Sequence, residues 1–240
     1  MKRVLLPRPA GDDVDAALLR ERGFDVVSDP YISVQFFDDS VAVQQIIDAL
    51  RAGAALALTS SRGLQSIEKA LFAALDVAQL RAFAVGPTTA AACRAAGIRD
   101  VVSPDSSFNT QGLLELLAEH RPTSIAVPRS GASADSFLSS CQALGIAITA
   151  AVTYDTRTVQ AEPVSAPALR AGAFDAVVVR SGSAARALAH FVPQWPRETK
   201  IVASGEATAR VLAGLAMPVA ITSQDSTSFS LADAVAAILG

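Results

Sequence analysis

The feature that most constrains this chain is an internal repeat, in which landmarks of the first half return about 121 residues later. Four pairs show it: Pro7 and Pro128, Ser60 and Ser181, and Phe108 and Phe229 are each 121 residues apart, and Gly86 and Gly205 are 119 apart. The flanking residues agree, since Leu-Leu-Pro-Arg returns as Ala-Val-Pro-Arg and Ser-Ser-Phe returns as Thr-Ser-Phe. A nearly constant offset predicts two copies of one architecture.

Within each copy, short β-branched runs alternate with helical patterns. Strand-like runs lie at 4–6, 25–28, 55–59, 83–85, 101–102, 125–127, 176–179, 201–203 and 219–222. Helical patterns lie at 12–22, 64–71, 88–96, 111–119, 134–144, 184–191, 208–215 and 231–239. Such alternation is typical of βα units around parallel sheets. We therefore predict an α/β protein with two similar lobes, each a parallel sheet flanked by helices.

Two β-prone stretches, 31–37 and 151–159, break the helical rhythm at corresponding positions of the repeat. The simplest interpretation is that the chain crosses between the lobes twice, so that these stretches form a two-stranded β connector. One lobe would then be residues 1–30 plus 160–240, and the inserted lobe would be residues 38–150. A plain tandem split near residue 121 is the alternative.

Composition disfavours several classes of protein. The net charge is -3 without a long basic stripe, so we expect no nucleic-acid partner. No apolar run approaches the ~20 residues that a membrane span needs. The apolar run at the start stops at Pro7, too early for a signal peptide. These observations predict a cytoplasmic protein that does not bind a membrane.

The motif inventory offers no cofactor or metal site. Phosphate-binding loops, a GxSxG elbow, HExxH and a Cys/His pair are all missing from the sequence. His120 and His190 are the only histidines, too few for a His-rich metal site, and are expected near helix C-termini. Cys93 and Cys141 are expected to be buried small hydrophobic residues. We expect neither cofactor nor metal.

Ligands of open parallel sheets bind at the carboxyl ends of the strands, which points to four loops. Loops 58–63 and 85–89 each follow a strand and open a helix, and loops 180–184 and 204–208 are their repeat counterparts. Taken singly, their hydroxyls are ordinary helix caps. As a duplicated set, the loops could face one another across a cleft.

Five cations lie near strand ends: Arg8, Arg62, Arg129, Arg180 and Lys200. Isolated surface charges contribute about 1 kcal/mol or less, whereas a convergent group would recognise several carboxylates. Tyr154 lies on the second predicted connector strand, where both packing and catalysis are open interpretations.

Six segments together resemble the uroporphyrinogen-III synthase family over almost the whole chain. They are Leu-Pro-Arg-Pro-Ala-Gly, Leu-Thr-Ser-Ser-Arg-Gly, Ala-Val-Gly-Pro-Thr-Thr-Ala-Ala-Ala, Thr-Gln-Gly-Leu-Leu-Glu-Leu-Leu, Val-Pro-Arg-Ser and Val-Thr-Tyr-Asp-Thr-Arg. The resemblance implies two lobes joined by a two-stranded connector and a lyase without a cofactor. It also implies the substrate hydroxymethylbilane, a linear tetrapyrrole with eight carboxylates, which is cyclised with inversion of ring D and loss of water in heme biosynthesis.

The same resemblance implies roles for individual residues. Tyr154 is the catalytic candidate, which would assist departure of the substrate hydroxyl through its O–H or an ordered water. The acetate and propionate arms would be bound by Ser60, Ser61, Arg62, Gly86, Thr88 and Thr89 on one lobe and by Ser181, Ser183, Lys200 and Thr208 on the other, with Arg8 and Arg129 as further anion partners. We expect the protein to be a monomer.

Two departures from the family pattern leave alternatives open. Val-Arg-Ser-Gly-Ser stands where Thr-Ser-Pro-Ser is more usual, and Ser-Gly-Glu-Ala-Thr, with an acidic Glu206, stands where Gly-Pro-Thr-Thr is more usual. An inactive synthase-like domain that only binds tetrapyrroles fits these departures. A non-catalytic two-lobed solute-binding or sensor module is the other alternative, and it would need no Tyr154.

Overall fold

The structure, a computed structural model, describes residues 1–8, 13–38, 40–131 and 135–240. In chain order the elements are β1 (Arg3–Leu6), α1 (Val14–Glu21), β2 (Asp25–Ser28), β3 (Ile32–Phe36), α2 (Val41–Arg51), β4 (Ala55–Leu58), α3 (Ser61–Gln65), α4 (Glu68–Ala74), β5 (Arg81–Ala84), α5 (Pro87–Ala95), β6 (Asp100–Val102), α6 (Thr110–His120), β7 (Ser124–Ser130), α7 (Ser136–Ala143), β8 (Ala147–Thr158), α8 (Ala166–Arg170), β9 (Ala176–Val179), α9 (Gly182–Phe191), β10 (Lys200–Ala203), α10 (Glu206–Gly214), β11 (Val219–Thr222) and α11 (Ser228–Leu239). Among the described residues, no helix is both long and apolar enough to cross a membrane.

The chain forms two compact units. The discontinuous unit comprises Met1–Ser33 and Arg157–Gly240, and the inserted unit comprises Val34–Thr156. This division differs from a tandem split near residue 121. Strand β3 neighbours β8, and the Phe37 N–H donates to the Thr153 carbonyl at 2.9 Å. The assignment of 31–37 and 151–159 to a connector stays a prediction.

The two sheets share one strand order. The discontinuous unit has the order β2-β1-β9-β10-β11, and the inserted unit has β8-β7-β4-β5-β6 with β3 added beside β8. Both sheets contain parallel pairs throughout these five-strand orders. The repeat offset carries β1 and β2 onto β7 and β8, and it carries β4, β5 and β6 onto β9, β10 and β11. The predicted α/β fold with two similar lobes is confirmed, and each unit combines strands from both halves of the chain.

Helices cover both faces of each sheet. In the discontinuous unit, Leu5 packs with α8, α9 and α10, whereas Val4 and Leu6 pack on the other face with α1 and α11. Alternate residues of β4 are divided in the same way between α2 to α5 on one face and α6 and α7 on the other. Because successive strand residues point to opposite faces, a strand covered on both faces is apolar at every position, as Ala55–Leu58 is.

Near the middle of each sheet, two neighbouring strands lead to helices on opposite faces. After β1 the chain enters α1, and after β9 it enters α9 on the opposite face. After β7 it enters α7, and after β4 it enters α3, again on opposite faces. Such divergence opens a crevice at the carboxyl ends of the two strands, where α/β sheets bind ligands. We call these places the β1/β9 crevice and the β4/β7 crevice.

Two helices are missing from the predicted pattern. Helix α2 has a Ser40 cap, whose Oγ accepts from the Val43 N–H at 3.2 Å. Its buried residues recur at helical spacing: Val43, Ile46, Ile47 and Leu50. Helix α8 has five residues, too few to show a periodic pattern. Strand β8 also begins earlier than the predicted stretch, since its parallel pairing with β7 starts at Ala147.

Candidate functional site

Tyr154 and Ser60 meet at the carboxyl edge of the inserted unit's sheet. Tyr154 belongs to β8, and Ser60 follows β4 as the N-cap of α3. The Tyr154 hydroxyl forms a hydrogen bond with the Ser60 side chain, and the positive charge of Arg62 acts on the same hydroxyl. Arg62 Nη1 donates to Thr156 Oγ1 at 3.4 Å, which holds the guanidinium beside β8. This group, which we call the Tyr154 cluster, brings together three of the predicted site residues.

Buried hydroxyls fix the strand that carries Tyr154. Ser66 Oγ donates to the Gly63 carbonyl at 2.7 Å and lies 2.7 Å from Thr153 Oγ1, so Thr153 is the donor in that second bond. A Cβ at Gly63 would lie 2.9 Å from the Pro128 carbonyl, so a larger residue would push α3 away from the sheet. Since Thr153 precedes Tyr154, these contacts set the position of the phenol.

The Tyr154 phenol is held in its neutral form. The residue is only 4% exposed, and burial raises its pKa. The hydrogen bond with Ser60 and the charge of Arg62 lower the pKa, but they offset the effect of burial only in part. A neutral phenol donates a hydrogen bond without releasing its proton near neutral pH. The arrangement therefore makes Tyr154 a hydrogen-bond donor rather than a base.

A cavity of about 310 Å³ lies at the β4/β7 crevice. Its lining residues are Thr59, Thr110, Val127, Arg129, Ser136, Phe137 and Leu138. Arg129 is mostly buried, and its Nη1 donates to Oδ1 of Asp135 at 2.5 Å, whereas the Asp135 side chain is 81% exposed. We call this cavity the Arg129 pocket. It combines a guanidinium and three hydroxyls with an apolar wall.

The β1/β9 crevice holds a carboxylate of the chain itself. Asp15, in the first turn of α1, is 2% exposed. It accepts from Arg8 Nη2 at 2.7 Å and from Arg180 Nη1 at 2.7 Å, and Ser228 adds a side-chain hydrogen bond. Burial alone would raise the pKa of Asp15, but Arg180, Ser228 and Arg8 outweigh burial and lower it. Arg8 also pairs with Asp13. Both arginines are thus bound to carboxylates of the chain.

Several predicted residues cap helices at the expected loops. Ser60 Oγ accepts from the Arg62 N–H and Ser181 Oγ accepts from the Ala184 N–H, each at 3.2 Å. The remaining predicted residues of these loops are the N-cap of α5 and residues in the first turns of α3, α5 and α9: Gly86, Ser61, Thr88 and Ser183. All of them stand at carboxyl ends of strands.

Three predicted binding residues do not lie exposed at the carboxyl edge of a sheet. Thr89 and Thr208, each 5% exposed, are buried because the third residue of α5 and of α10 turns toward the protein interior. Lys200 is the first residue of β10, so it lies at the amino edge of the sheet, whereas Arg8 and Arg180 lie at the carboxyl edge. The predicted convergence of these cations is therefore wrong for Lys200.

Some residues at the two crevices were not predicted: Asp15, Thr59, Thr110, Ser136 and Ser228. The repeat itself holds the signal that finds two of them, because Ser136 follows Asp15 by 121 residues. Extending the offset from the four landmark pairs to the polar residues near helix starts pairs these two in sequence.

The cysteines are buried as predicted. Burial raises the pKa of Cys93 and of Cys141 to about 11 each, which keeps both thiols protonated and unreactive. Within the described part of the chain, no group of three or more His, Cys, Asp or Glu residues is arranged to hold a metal ion.

Comparisons with known proteins found one matching family model and solved structures of similar fold. The family model described as uroporphyrinogen-III synthase HemD matches residues 13–233. The uroporphyrinogen-III synthetase of Helicobacter pylori matches with a TM-score of 0.68 at 13% identity, covering 99% of this chain and 100% of that one. A mutant uroporphyrinogen III synthase of Thermus thermophilus matches with a TM-score of 0.66 at 19% identity, covering 100% of this chain and 99% of that one. No curated protein matches the chain. At such identities the two structures show similarity of fold alone.

Proposed function

Because the chain belongs to the uroporphyrinogen-III synthase family, an enzyme family of tetrapyrrole synthesis, we propose that it cyclises hydroxymethylbilane to uroporphyrinogen III. The reaction inverts ring D and releases water, which would make the enzyme a lyase. The structural observation that carries the proposal is the hydrogen bond between Tyr154 and Ser60, because it holds a neutral phenol beside the loop that follows β4, at the carboxyl edge of the sheet.

The first step breaks the bond between the hydroxymethyl carbon and its oxygen and leaves an azafulvene cation. The Ser60 hydroxyl donates a hydrogen bond to the phenol oxygen. The Tyr154 O–H is then free to donate to the departing hydroxyl, directly or through one ordered water. This bond stabilises the charge that develops on the leaving oxygen. The substituted carbon of ring D then attacks the cation, and the spiro intermediate fragments to a second azafulvene cation. Reclosure through the free α carbon of ring D releases a proton, which balances the hydroxide lost in the first step as water.

The later steps need geometry more than acid or base strength, because the intermediates are reactive. The enzyme would bind the substrate by the arms that carry its eight carboxylates. Arg62 and the first-turn N–H groups of α5 and α9 fit these arms, since helix N-termini attract anions. Backbone groups would share this work, so single changes at Ser61, Thr88 or Ser183 should have little effect.

The experiment that tests the proposal feeds freshly generated hydroxymethylbilane to the purified protein and separates the oxidised type I and type III isomers by chromatography. Predominantly type III product would support the synthase function. Type I alone, the product of spontaneous closure, would refute it and favour a module that binds tetrapyrroles without transforming them.

Replacing Tyr154 with Phe tests the catalytic role. Loss of a hydrogen bond to a charged group should lower kcat about tenfold or more. Ser60→Ala should lower kcat less, because it removes a helix cap but leaves the phenol in place. Tyr31→Phe is the matched control, since Tyr31 is the other tyrosine, is buried and bonds to Ser165 at 3.1 Å. Equal turnover of Tyr154→Phe and wild type would remove Tyr154 from the mechanism.

We also propose a cytoplasmic monomer that works without a cofactor. Sedimentation at assay concentration should show one species with the mass of a single chain, and activity should survive dialysis against a chelator. A stable dimer would contradict the first expectation, and loss of activity on dialysis would contradict the second.

A further inference from the structure

An exposed aromatic ring lies beside Tyr154 in the inserted unit. Phe36, the last residue of β3, has its ring centroid 6.4 Å from that of Tyr154, and the two ring planes are tilted by 54°. This spacing is within the range of attractive aromatic pairs. Phe36 is 38% exposed, whereas Tyr154 is 4% exposed. Water therefore reaches the Phe36 ring but is largely excluded from the Tyr154 ring.

The pairing of two strands brings these rings together. Among the described strands, β3 is the end strand of its sheet and neighbours β8. The Phe37 N–H donates to the Thr153 carbonyl at 2.9 Å, and Phe36 and Tyr154 are the residues next to this bonded pair. Aromatic pairs across strands stabilise the strands that carry them. Phe36 thus lies on the side of Tyr154 toward the end strand, whereas Ser60 bonds to the phenol from the start of α3.

We propose that Phe36 is a positioning residue for Tyr154, whose ring covers one side of the phenol, keeps water from it and so holds the phenol in its bond with Ser60. The consequence for catalysis rests on the proposed function, in which this phenol donates to the departing hydroxyl. A donor that is fixed in advance stabilises a leaving group without reorganising in the transition state. Water beside the phenol would compete for its hydrogen bonds and would leave the ring free to tilt.

The contact with Phe36 also bears on the protonation of the phenol. Burial raises the pKa of Tyr154, and Arg62 on α3 supplies the charge that lowers it. The Phe36 ring contributes to that burial. Loss of the Phe36 ring should therefore let the pKa of Tyr154 fall toward its ordinary value of 10.0. Displacement of Arg62 would have the opposite effect, because loss of a positive charge raises the pKa of a phenol.

The first test titrates the tyrosines by fluorine NMR in protein made with fluorotyrosine. The chain has two tyrosines, so two signals are expected, and Tyr154→Phe assigns them by removing one. Phe36→Ala should lower the pKa read from the Tyr154 signal, and Phe36→Leu, which keeps an apolar cover, should restore most of the difference. The signal of Tyr31, in the discontinuous unit, should not change. An unchanged Tyr154 pKa in Phe36→Ala would overturn the proposal.

The second test asks whether Phe36 acts through Tyr154. Phe36→Ala should lower kcat about fivefold and change KM less than about twofold, since aromatic pairs across strands contribute up to about that factor. Phe36→Leu should lower kcat less than about twofold. In a Tyr154→Phe background, Phe36→Ala should also change kcat less than about twofold. An equal loss in both backgrounds, or a raised KM at unchanged kcat, would show a separate contact with the substrate and contradict the positioning role.

Phe72→Ala is the matched control, because Phe72 is also an exposed phenylalanine of the inserted unit and lies on α4. It should leave kcat and both tyrosine signals unchanged. The isomer assay keeps the two proposals apart. Type III product with an unchanged Tyr154 pKa in Phe36→Ala refutes the positioning role alone, and type I product with a lowered pKa refutes the synthase function alone.

Discussion

Asp15→Asn should destabilise the discontinuous unit far more than its position on the first turn of a helix suggests. The change keeps the size and shape of the side chain and removes only its charge. In the folded protein this charge faces Arg8 and Arg180, which both approach to 2.7 Å, with almost no access of water to the carboxylate. After the substitution, Arg8 keeps its pair with Asp13, whereas Arg180 keeps only the amide oxygen and the Ser226 carbonyl as acceptors.

The magnitude follows from the exposure of the partners. Removing one member of a fully buried ion pair destabilises a protein by about 3–5 kcal/mol. Here the Arg8 and Arg180 side chains are 30% and 26% exposed, so they regain part of their hydration, and the amide oxygen still accepts a bond. We expect a loss of about 2–3 kcal/mol in the free energy of unfolding.

Urea unfolding followed by Trp195 fluorescence measures this loss in the discontinuous unit, which contains Asp15. Trp195 is the only tryptophan, belongs to the discontinuous unit and donates from its indole to the Thr199 carbonyl at 2.9 Å. The control is Asp25→Asn in the same unit, where the partners of the ion pair with Arg3 are both exposed, and the expected loss is below about 0.5 kcal/mol.

The pH dependence has a definite sign. Because the pKa of Asp15 is lowered on folding, its ionised form stabilises the protein above the ordinary pKa of 3.8, and this contribution is lost as the pH falls through the lowered value. The difference between wild type and Asp15→Asn should therefore stay constant from pH 7 to pH 5 and shrink only in stronger acid. A loss at pH 7 no larger than that of Asp25→Asn would refute the reasoning.

Two other changes test packing and thiol burial. Gly112→Ala should destabilise the inserted unit by about 1–3 kcal/mol in urea unfolding followed by circular dichroism, because a Cβ there would overlap the Ser107 carbonyl oxygen. Gly214→Ala, whose Cβ would meet nothing within 4 Å, should be neutral or stabilising, and equal effects of the two would contradict the packing argument. Cys93 and Cys141 should resist a thiol-specific reagent in the folded protein and both react in denaturant, since burial raises each pKa to about 11. Rapid labelling of the native protein would contradict that burial.

The strands were predictable because the physics that buries them is local. A run such as Ala55–Leu58 is apolar throughout, and only a strand covered on both faces suits so short a run. Helix α2 was equally predictable, because its Ser40 cap and its buried residues at helical spacing are both visible in the sequence. Helix α8 carried no such signal, since five residues do not complete two turns.

The site was predictable in its loops but not in its pairings. That Ser60 and Tyr154 meet depends on the strand order, in which β7 separates β8 from β4, and on a register shift between Arg129 and Ser130. Neither the strand order nor the register shift can be predicted from the residues next to Ser60 and Tyr154. The role of Asp15 was hidden for a different reason: an acid in the first turn of a helix looks like a partner of the helix dipole, and its partner Arg180 is 165 residues away.

The duplication repeats the strand order of the sheet but not the charges at its carboxyl edge. Both crevices have the same strand order around them, and the offset carries Arg8, which follows β1, onto Arg129, which lies within β7. With Asp15 the chain supplies its own anion, and the crevice contributes to stability. In the β4/β7 crevice the helix N-cap is Asp135, 122 residues after Asp13, and Ser136, at the 121-residue offset from Asp15, is exposed rather than buried. Ser136 therefore does not repeat the stabilising role of Asp15. Asp15→Ser should leave Arg8 its pair with Asp13 but remove the carboxylate that pairs with Arg180, so it should destabilise the discontinuous unit in urea at least as much as Asp15→Asn does.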